Sequence, residues 1–376
     1  MSRFPPHWHV LPFIEAVKDV TAGNPKLPKQ DYLNAGTYPV VDQGQSLFGG
    51  YTDDPGMLAN AATPAIVFGD HTRLFKFISE PFCLGADGAK ILEPKADLDK
   101  KFLYHYLRSL RIESAGYSRH FKFLKENVVP VPSLSEQKRI ATILDKADAI
   151  RRKRQEAIQL ADEFLRAVFL DMFGDPVTNP KGWRIVELGS LIDPEDKLNY
   201  GVVQPGEHDS NGIPLVRSGD LGDRPPELSS LRRVSNAIDR KHRKSRLKGN
   251  EILIACVGSI GKVGWVSDGM KGWNIARAVT RIPVRESVNR EYLYRYLQNP
   301  VVQGYFARET RAVAQPTLNV GLIAKTPIAL PSEDLQHEFL KQYEKISQLK
   351  REQSLSLRDQ ESLFGSLSQN AFSGDL

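Results

Sequence analysis

Asp87, Glu93 and Lys95 carry the acid, then Glu-x-Lys, order in which metal-dependent nucleases hold Mg²⁺ and orient an attacking water. The triplet is short enough to arise by chance, and Pro94 stands where a buried strand would be damaged. A second candidate is GSIGKVG, Gly258–Gly264, which has the glycines and the lysine of a phosphate-binding loop. Such a loop needs four residues between its first glycine and the Gly-Lys pair. Here Ser259 and Ile260 are the only two, and Val263 follows Lys262 in place of Ser or Thr, so the stretch reads as turns beside a strand. No GxGxxG is present, nor an Asn-Pro-Pro or Asp-Pro-Pro followed by an aromatic, the base-clamping motif of an amino-methyltransferase. His7 and His9 flank Trp8 without a cysteine or carboxylate at metal-ligand spacing. The search yields no catalytic residue and no metal site that its spacing supports.

Binding to a polyanion has better support. The 376 residues carry 51 Lys+Arg against 45 Asp+Glu, a net charge of +6. Between Arg224 and Lys248 nine basic residues face two acidic ones, a local +7 that leaves the rest of the chain near −1. The block is either a solvated face or a surface for a polyanion such as nucleic acid. Hydrophobic residues at 41% and charged ones at 26% exclude a disordered chain, and the length suggests two domains. The longest apolar run, Ile252–Val257, is strand-sized, well short of the ~18 residues of a membrane helix. MSRFPPHWHV lacks the apolar core of a signal peptide, so a cytoplasmic protein is expected. Cys83 and Cys256 sit one in each half, and a reducing cytosol argues against their pairing.

The elements that would position such a surface are written twice. Trp8 and Pro39 lie 31 apart, as do Trp183 and Pro214, and Gly44 matches Gly219 at the same offset of 175. FLYHYL (Phe102–Leu107) answers YLYRYL (Tyr292–Leu297) at offset 190, and VPVPSLSEQ (Val129–Gln137) answers IALPSEDLQ (Ile328–Gln336) at offset 199. MFGD (Met172–Asp175) resembles AFSGD (Ala371–Asp375). Four matches in one order indicate a tandem duplication, with loop insertions causing the drift. Each copy has short β-like runs punctuated by Gly and Pro, a short aromatic helix, an extended segment ending in proline, and a long helix. The first two pieces suggest a mixed α/β domain. Few helical stretches alternate with the strands, which argues against a βαβ sheet.

The first long helix opens at Ser133 with Glu136 three residues on, a capping-box pattern, and meets no Gly or Pro until Gly174. Its apolar spine is Ile140, Leu144, Ala147, Ile150, Ile158, Ala161, Leu165, Val168 and Met172. The second starts near Ser332 with Leu335, Phe339, Tyr343, Ile346, Leu349, Leu357 and Phe364, and Gly365 is expected to interrupt it. Both spines break at matched positions, Arg154 and Gln353. Either polar residues are tolerated there, or they form a polar layer that pins the register of a helix pair. An antiparallel coiled coil is the geometry expected, forming a rod that holds two similar domains apart with pseudo-two-fold symmetry.

PKGWRIVELGSLI (Pro180–Ile192), PSLSEQKRIATILDKADAIRRKR (Pro132–Arg154) and AQPTLNVGLIAKTPIALP (Ala314–Pro331), in tandem with paired helices, carry a family resemblance. Nearly the whole chain resembles the DNA-specificity subunit of a type I restriction–modification enzyme. Copy two departs from the pattern at PSEDLQHEF, where the helix start Pro-x-x-x-Glu-Gln is expected. The resemblance implies two tandem target-recognition domains, at 1–132 and 175–331, with a central long helix at 133–174 and a C-terminal helix and tail at 332–376. It also implies a subunit without an active site or cofactor. Each domain would read half of a bipartite site on double-stranded DNA, and the helices would dock two methyltransferase subunits that recruit restriction subunits. S-adenosylmethionine, Mg²⁺ and ATP would then belong to the partners.

Candidate DNA contacts follow from side chains suited to base edges and phosphates. In copy one they are Gln43, Gln45, Ser118, Arg119, His120 and Lys122. In copy two they are Arg217, Ser218, Arg240, Lys241, Arg243, Lys244, Arg246, Arg308, Arg311 and Gln315. The run Arg151–Arg154 is expected to face a partner or solvent. The alternatives are a self-sufficient Mg²⁺ nuclease built on Asp87, Glu93 and Lys95, and a coiled-coil adaptor between proteins.

Overall fold

The computed structural model describes residues 4–85, 88–95, 97–113, 116, 118–175, 177–310 and 317–376. The chain forms two compact units: residues 1–156 with 353–376, and residues 157–352. Each unit therefore takes part of both long helices, so the division falls within the helices and not at their ends.

In the first unit an antiparallel ribbon pairs His9–Pro12 with Val128–Val131. A four-stranded antiparallel sheet runs in the order Val17–Asp19, Ala89–Pro94, Ala65–Gly69, Phe75–Ile78. A second sheet orders Lys26–Leu27, Cys83–Gly85, Tyr38–Val41, Gly50–Thr52, with Cys83–Gly85 parallel to both of its neighbours.

The second unit repeats this plan. Arg184–Glu187 pairs with Pro327–Leu330, and the four-stranded sheet is Asn199–Tyr200, Val279–Pro283, Glu251–Ala255, Val263–Trp265. The mixed sheet is Arg232–Val234, Ile213–Val216, Asn274–Ile275, one strand fewer. Register fixes the equivalence: Gly69 lies opposite Ala89 as Ala255 lies opposite Val279.

Alternation explains which face each strand buries. Ile66, Phe68 and Leu92 pack under the helix Lys100–Ser109 through Phe102, Leu103 and Tyr106, and against Ile140 and Leu144 of the first long helix. Ile252, Ile254 and Ile282 pack likewise with Tyr292, Leu293 and Tyr296 of the helix Arg290–Gln298. Burying each such side chain stabilises by roughly 1.5–3 kcal/mol. Tyr106 Oη donates to Val128 O at 2.6 Å, and Tyr296 Oη to Pro327 O at 3.2 Å, so the offsets 190 and 199 meet in one repeated bond. The second unit adds a helix that the sequence reading did not anticipate, Pro300–Thr310. Proline suits a first helical turn, and the Asn299 side chain accepts from Val301 N at 3.0 Å.

The long helices span Leu134–Phe173 and Glu333–Ser373. Ser133 Oγ accepts from Glu136 N at 3.3 Å and Ser332 Oγ from Leu335 N at 3.4 Å. Gln137 Nε2 donates to Pro132 O at 2.9 Å, and Gln336 Nε2 to Pro331 O at 3.1 Å. The second start therefore forms despite its altered motif, because the glutamine that holds the proline carbonyl is retained. Gly365 does not interrupt the second helix. A single exposed glycine costs only about 1 kcal/mol, and the flanking Phe364 and Leu367 pack on the core. The apolar stripe is less continuous than expected, since the matched Ile150 and Leu349 are 48% and 51% exposed.

Within the first unit Arg154 Nη1 donates to Gln353 Oε1 at 3.0 Å and Arg139 Nη2 to Leu376 O at 2.5 Å. One helix ascends in number as the other descends, so the pair is antiparallel. In the second unit Lys350 meets Asp162 at 2.5 Å, and Phe339 packs on Phe169 and Phe173 in the same sense.

The helix ends are also repeated. Phe173 packs on Tyr292 at 5.6 Å and Phe372 on Phe102 at 5.7 Å. Gly174 (φ 72°) and Gly374 (φ 85°) follow in the left-handed region. Each lies against a proline, Pro180 and Pro5, that are themselves 175 apart.

Candidate nucleic-acid interface

In both units the strand ends bring together four loops. In the first, Gln43, His71, Gly88 and His120 converge around Asp70, which is 2% exposed. His120 is 1% exposed, and its Nδ1 lies 2.9 Å from Asp70 O. This corrects its place among the candidate contacts, because the ring is held in the core by the loop that presents its neighbours. Gln43 is likewise engaged, with Oε1 accepting from His71 N at 3.2 Å. Gln45, Arg119 and Lys122 are exposed, with Lys122 Nζ 4.7 Å from the Phe123 ring centre. Ser118 is half-buried, and its hydroxyl has no partner among the described residues.

In the second unit Arg217 grips Asp220 through Nε at 3.0 Å and Nη2 at 3.2 Å, which raises its pKa. Ser218 beside it is half-buried. Lys262 Nζ donates to Gly219 O at 2.9 Å, so the Gly258–Gly264 stretch is a turn that leads into the strand Val263–Trp265 and is tied to this loop.

The basic block separates into anchored and open cations. Arg232 binds Gly206 O, Arg233 Nη1 binds Gly212 O at 3.2 Å, and Lys248 pairs with Asp196 at 2.8 Å. Arg246 pairs with Asp239, a carboxylate at 0% exposure. Burial works to raise the Asp239 pKa, but hydrogen bonds from Arg246 and Asn274 outweigh it and hold the pKa low. Arg246, with its side chain 40% exposed, is thus the counter-ion of a buried carboxylate and not an open cation. Arg240, Lys241, Arg243 and Lys244 are exposed on the short helix Asn236–Lys241 and the turn Arg243–Ser245. None of these four has an ion-pair partner among the described residues, and Arg240 Nε donates only to Asn236 O at 3.2 Å. Arg308 is exposed. Arg311 and Gln315 lie outside the described residues, as does Asp87.

The other two nuclease candidates are committed elsewhere. Glu93 Oε2 lies 2.8 Å from Lys100 Nζ, and Lys95 Nζ donates to Ile14 O at 2.6 Å. The sequence search passed over Arg277, which is exposed in the second unit beside Tyr200. Its signal was positional, since it falls 190 after Asp87, the offset of the aromatic helices. No described helix is long and apolar enough to cross a membrane.

The comparisons with known proteins agree with one another. The profile of the type I restriction modification DNA specificity domain matches residues 14–160 and 180–357, once in each copy. The EcoBI specificity subunit of a type I restriction enzyme from Escherichia coli is 29% identical over 333 residues, covering 79% of this chain and 70% of that one. The MjaVIII specificity subunit from Methanocaldococcus jannaschii is 21% identical over 383 residues, covering 93% and 89%. The crystal structure of a type I restriction–modification S subunit from M. genitalium superposes with a TM-score of 0.57 at 16% identity, over 97% and 96% of the two chains.

Proposed function

We propose, on the ground that the chain belongs to the family of type I restriction–modification DNA-specificity subunits, that it reads double-stranded DNA as two half-sites, one per unit. The observation that carries this reading is the twice-built frame. The same ribbon, sheet order and aromatic helix recur, and each copy presents its own set of loops at its strand ends. The open cations Arg240, Lys241, Arg243 and Lys244 suit phosphates, where charge gives affinity without sequence information. The loops around Gln45, Arg119, Arg217 and Ser218 suit base edges.

Recognition, without chemistry, is the role of this chain. Methyl transfer and cleavage are assigned to partners: two methyltransferase subunits holding S-adenosylmethionine, and restriction subunits recruited through them with Mg²⁺ and ATP. Support for docking comes from exposed apolar side chains on the long helices, among them Leu160, Phe164, Leu355 and Leu363, each more than half exposed. Glu93 and Lys95, engaged with Lys100 and the Ile14 carbonyl, do not favour the nuclease alternative.

The test is to supply the full chain to its methyltransferase partner and map the methylated sites. A bipartite site is expected, and exchanging residues 183–331 for the matching segment of a relative should change one half alone. A chimera that alters both halves refutes independent readers, as methyl transfer by the isolated chain would refute a purely recognising role. A chain that binds no duplex at any salt concentration would favour the adaptor.

A further inference from the structure

A cavity of about 400 Å³ opens in the second unit, lined by Tyr200, Cys256, Val257, Arg277, Ala278 and Thr317. The register shows what occupies the same place in the first. Cys256 N donates to Ala278 O and Leu318 N to Cys256 O, as Asp70 N donates to Gly88 O and His120 N to Asp70 O. Val257 therefore matches His71, and Ala278 matches Gly88. In the first unit Gln43 fills this place: it caps the His71 amide, and a Cβ on Gly88 would meet its Oε1 at 2.6 Å. At offset 175 Gln43 becomes Ser218, whose shorter side chain does not line the cavity. Part of the opening is thus the vacated place of a glutamine.

The chemistry of the lining is one-sided. Val257, Ala278 and Cys256 make it apolar on one side, with the Cys256 thiol 3.0 Å from Thr280 Oγ1 and pushed by burial up to about 11, hence neutral. Tyr200 is 38% exposed, and its hydroxyl is fixed by Val320 N at 3.1 Å. Arg277 is exposed with its backbone held by Val202 O at 2.9 Å, and among the described residues no carboxylate pairs with it. Among the described residues no acidic side chain lines the space. A lone guanidinium beside an aromatic ring and an apolar shelf suits a flat group with two adjacent acceptors. An open convex turn, such as Arg243–Ser245, suits a phosphate better.

We propose that Arg277 reads a guanine in the half-site of the second unit, its two N–H donors on O6 and N7, with Tyr200 and Val257 against the adjoining base or sugar. This rests on the reading that the unit binds DNA. Arg277 is then a specificity-determining residue, and Ser218 is what leaves room for the base.

The probe is a pool of duplexes randomised over the half-site, presented to the full chain with its methyltransferase partner, with the methylated fraction sequenced. Arg277→Ala should lower the preference for guanine about ten- to a hundred-fold at one position of one half and leave the other half unchanged. Arg277→Lys should keep affinity but lose that preference, since a lysine lacks the planar fork. Ser218→Gln, which refills the cavity, should disturb the same position. Weakening of all sequences alike, with the salt slope reduced by about 0.9, would make Arg277 a phosphate contact and overturn the proposal. An unchanged site would overturn it too, while leaving the DNA reading intact. A wild-type chain that selects no site at all overturns the DNA reading first.

Discussion

In the first unit the sheet register sets Val67 opposite Ile91, with Ala65 at the start of the strand, and all three are at 0% exposure. In the second unit the matching positions are Leu253 opposite Arg281, with Glu251 at the strand start, again all at 1% or less. Where one copy has packed hydrocarbon, the other has a buried guanidinium. Arg281 meets Asp196 through Nη2 and Glu251 at 3.6 Å through Nη1, and that same nitrogen reaches Lys244 O at 3.4 Å and Arg246 O at 3.5 Å. Glu251 in turn accepts from Lys248 N and Gly249 N at 2.7 and 2.8 Å. The cluster therefore anchors the backbone of the basic turn. In the first unit the corresponding connection, residues 53–64, contains no lysine or arginine, and the matching interior stays apolar. The difference teaches that the buried charges accompany the basic turn and are not a requirement of the fold.

The sharpest way to break this comparison is one substitution made at both matched sites. Arg281→Met leaves Glu251 buried without its partner and should cost about 3–5 kcal/mol in denaturant unfolding. Ile91→Met, near volume-conserving, should cost less than about 1.5 kcal/mol. Equal losses would mean that the ionic cluster adds nothing specific. A double-mutant cycle of Arg281→Met with Glu251→Leu should next reveal a coupling of roughly 0.5–3 kcal/mol. Additivity would separate the two charges energetically.

Within the basic block, Arg246→Ala should destabilise by about 1–3 kcal/mol through the orphaned Asp239. Arg243→Ala should change stability by less than about 0.5 kcal/mol while lowering the salt slope of duplex binding by about 0.9. If both behave alike, the division into anchored and open cations is wrong.

The smallest expected effect concerns pH. In the first unit burial holds the His105 pKa below its ordinary value, although Asp145 at 2.9 Å opposes this. The unfolded chain then binds more protons, so stability from this residue is full above about pH 6.5 and is lost as pH falls toward the lowered value. Asp196 is desolvated, yet hydrogen bonds from Lys248 and Arg281 hold its pKa low, so its contribution persists until pH falls below about 4. The first unit should begin to loosen at milder acidity, as hydrogen exchange resolved along the chain would show. His105→Gln should remove that early slope.

The sequence made the frame legible because period and spacing are local. Ser133 and Ser332 begin the helices, and the recurring Tyr106 and Tyr296 mark the helix that covers each sheet. It could not tell open from anchored cations. Arg246 and Arg243 are three residues apart in one run, and only the fold places Asp239 beneath the first. His120 looked like part of a basic loop because its burial depends on Asp70, fifty residues earlier. Arg281 sits in the apolar run AVTRIPV, and its partners Asp196 and Glu251 come from separate strands and loops. A positive charge is legible in sequence, but its exposure is a property of distant neighbours.

The joint between helix end and ribbon is made twice, with Tyr292 in one version answered by Phe102 in the other and Ser373 added before the second glycine, and the main difference is connectivity. At Phe173, Gly174 and Pro180 the backbone runs through the joint; at Phe372, Gly374 and Pro5 the same packing is made by segments far apart in the chain. Covalent continuity is thus redundant to its geometry. Tethering contributes only through effective concentration, and loop-closure entropy changes slowly with the length of chain that closes it. A backbone nick between residues 177 and 179 would turn the first version of the joint into the second. The two fragments would remain one assembly, held by the aromatic and helix contacts that already suffice at the other end.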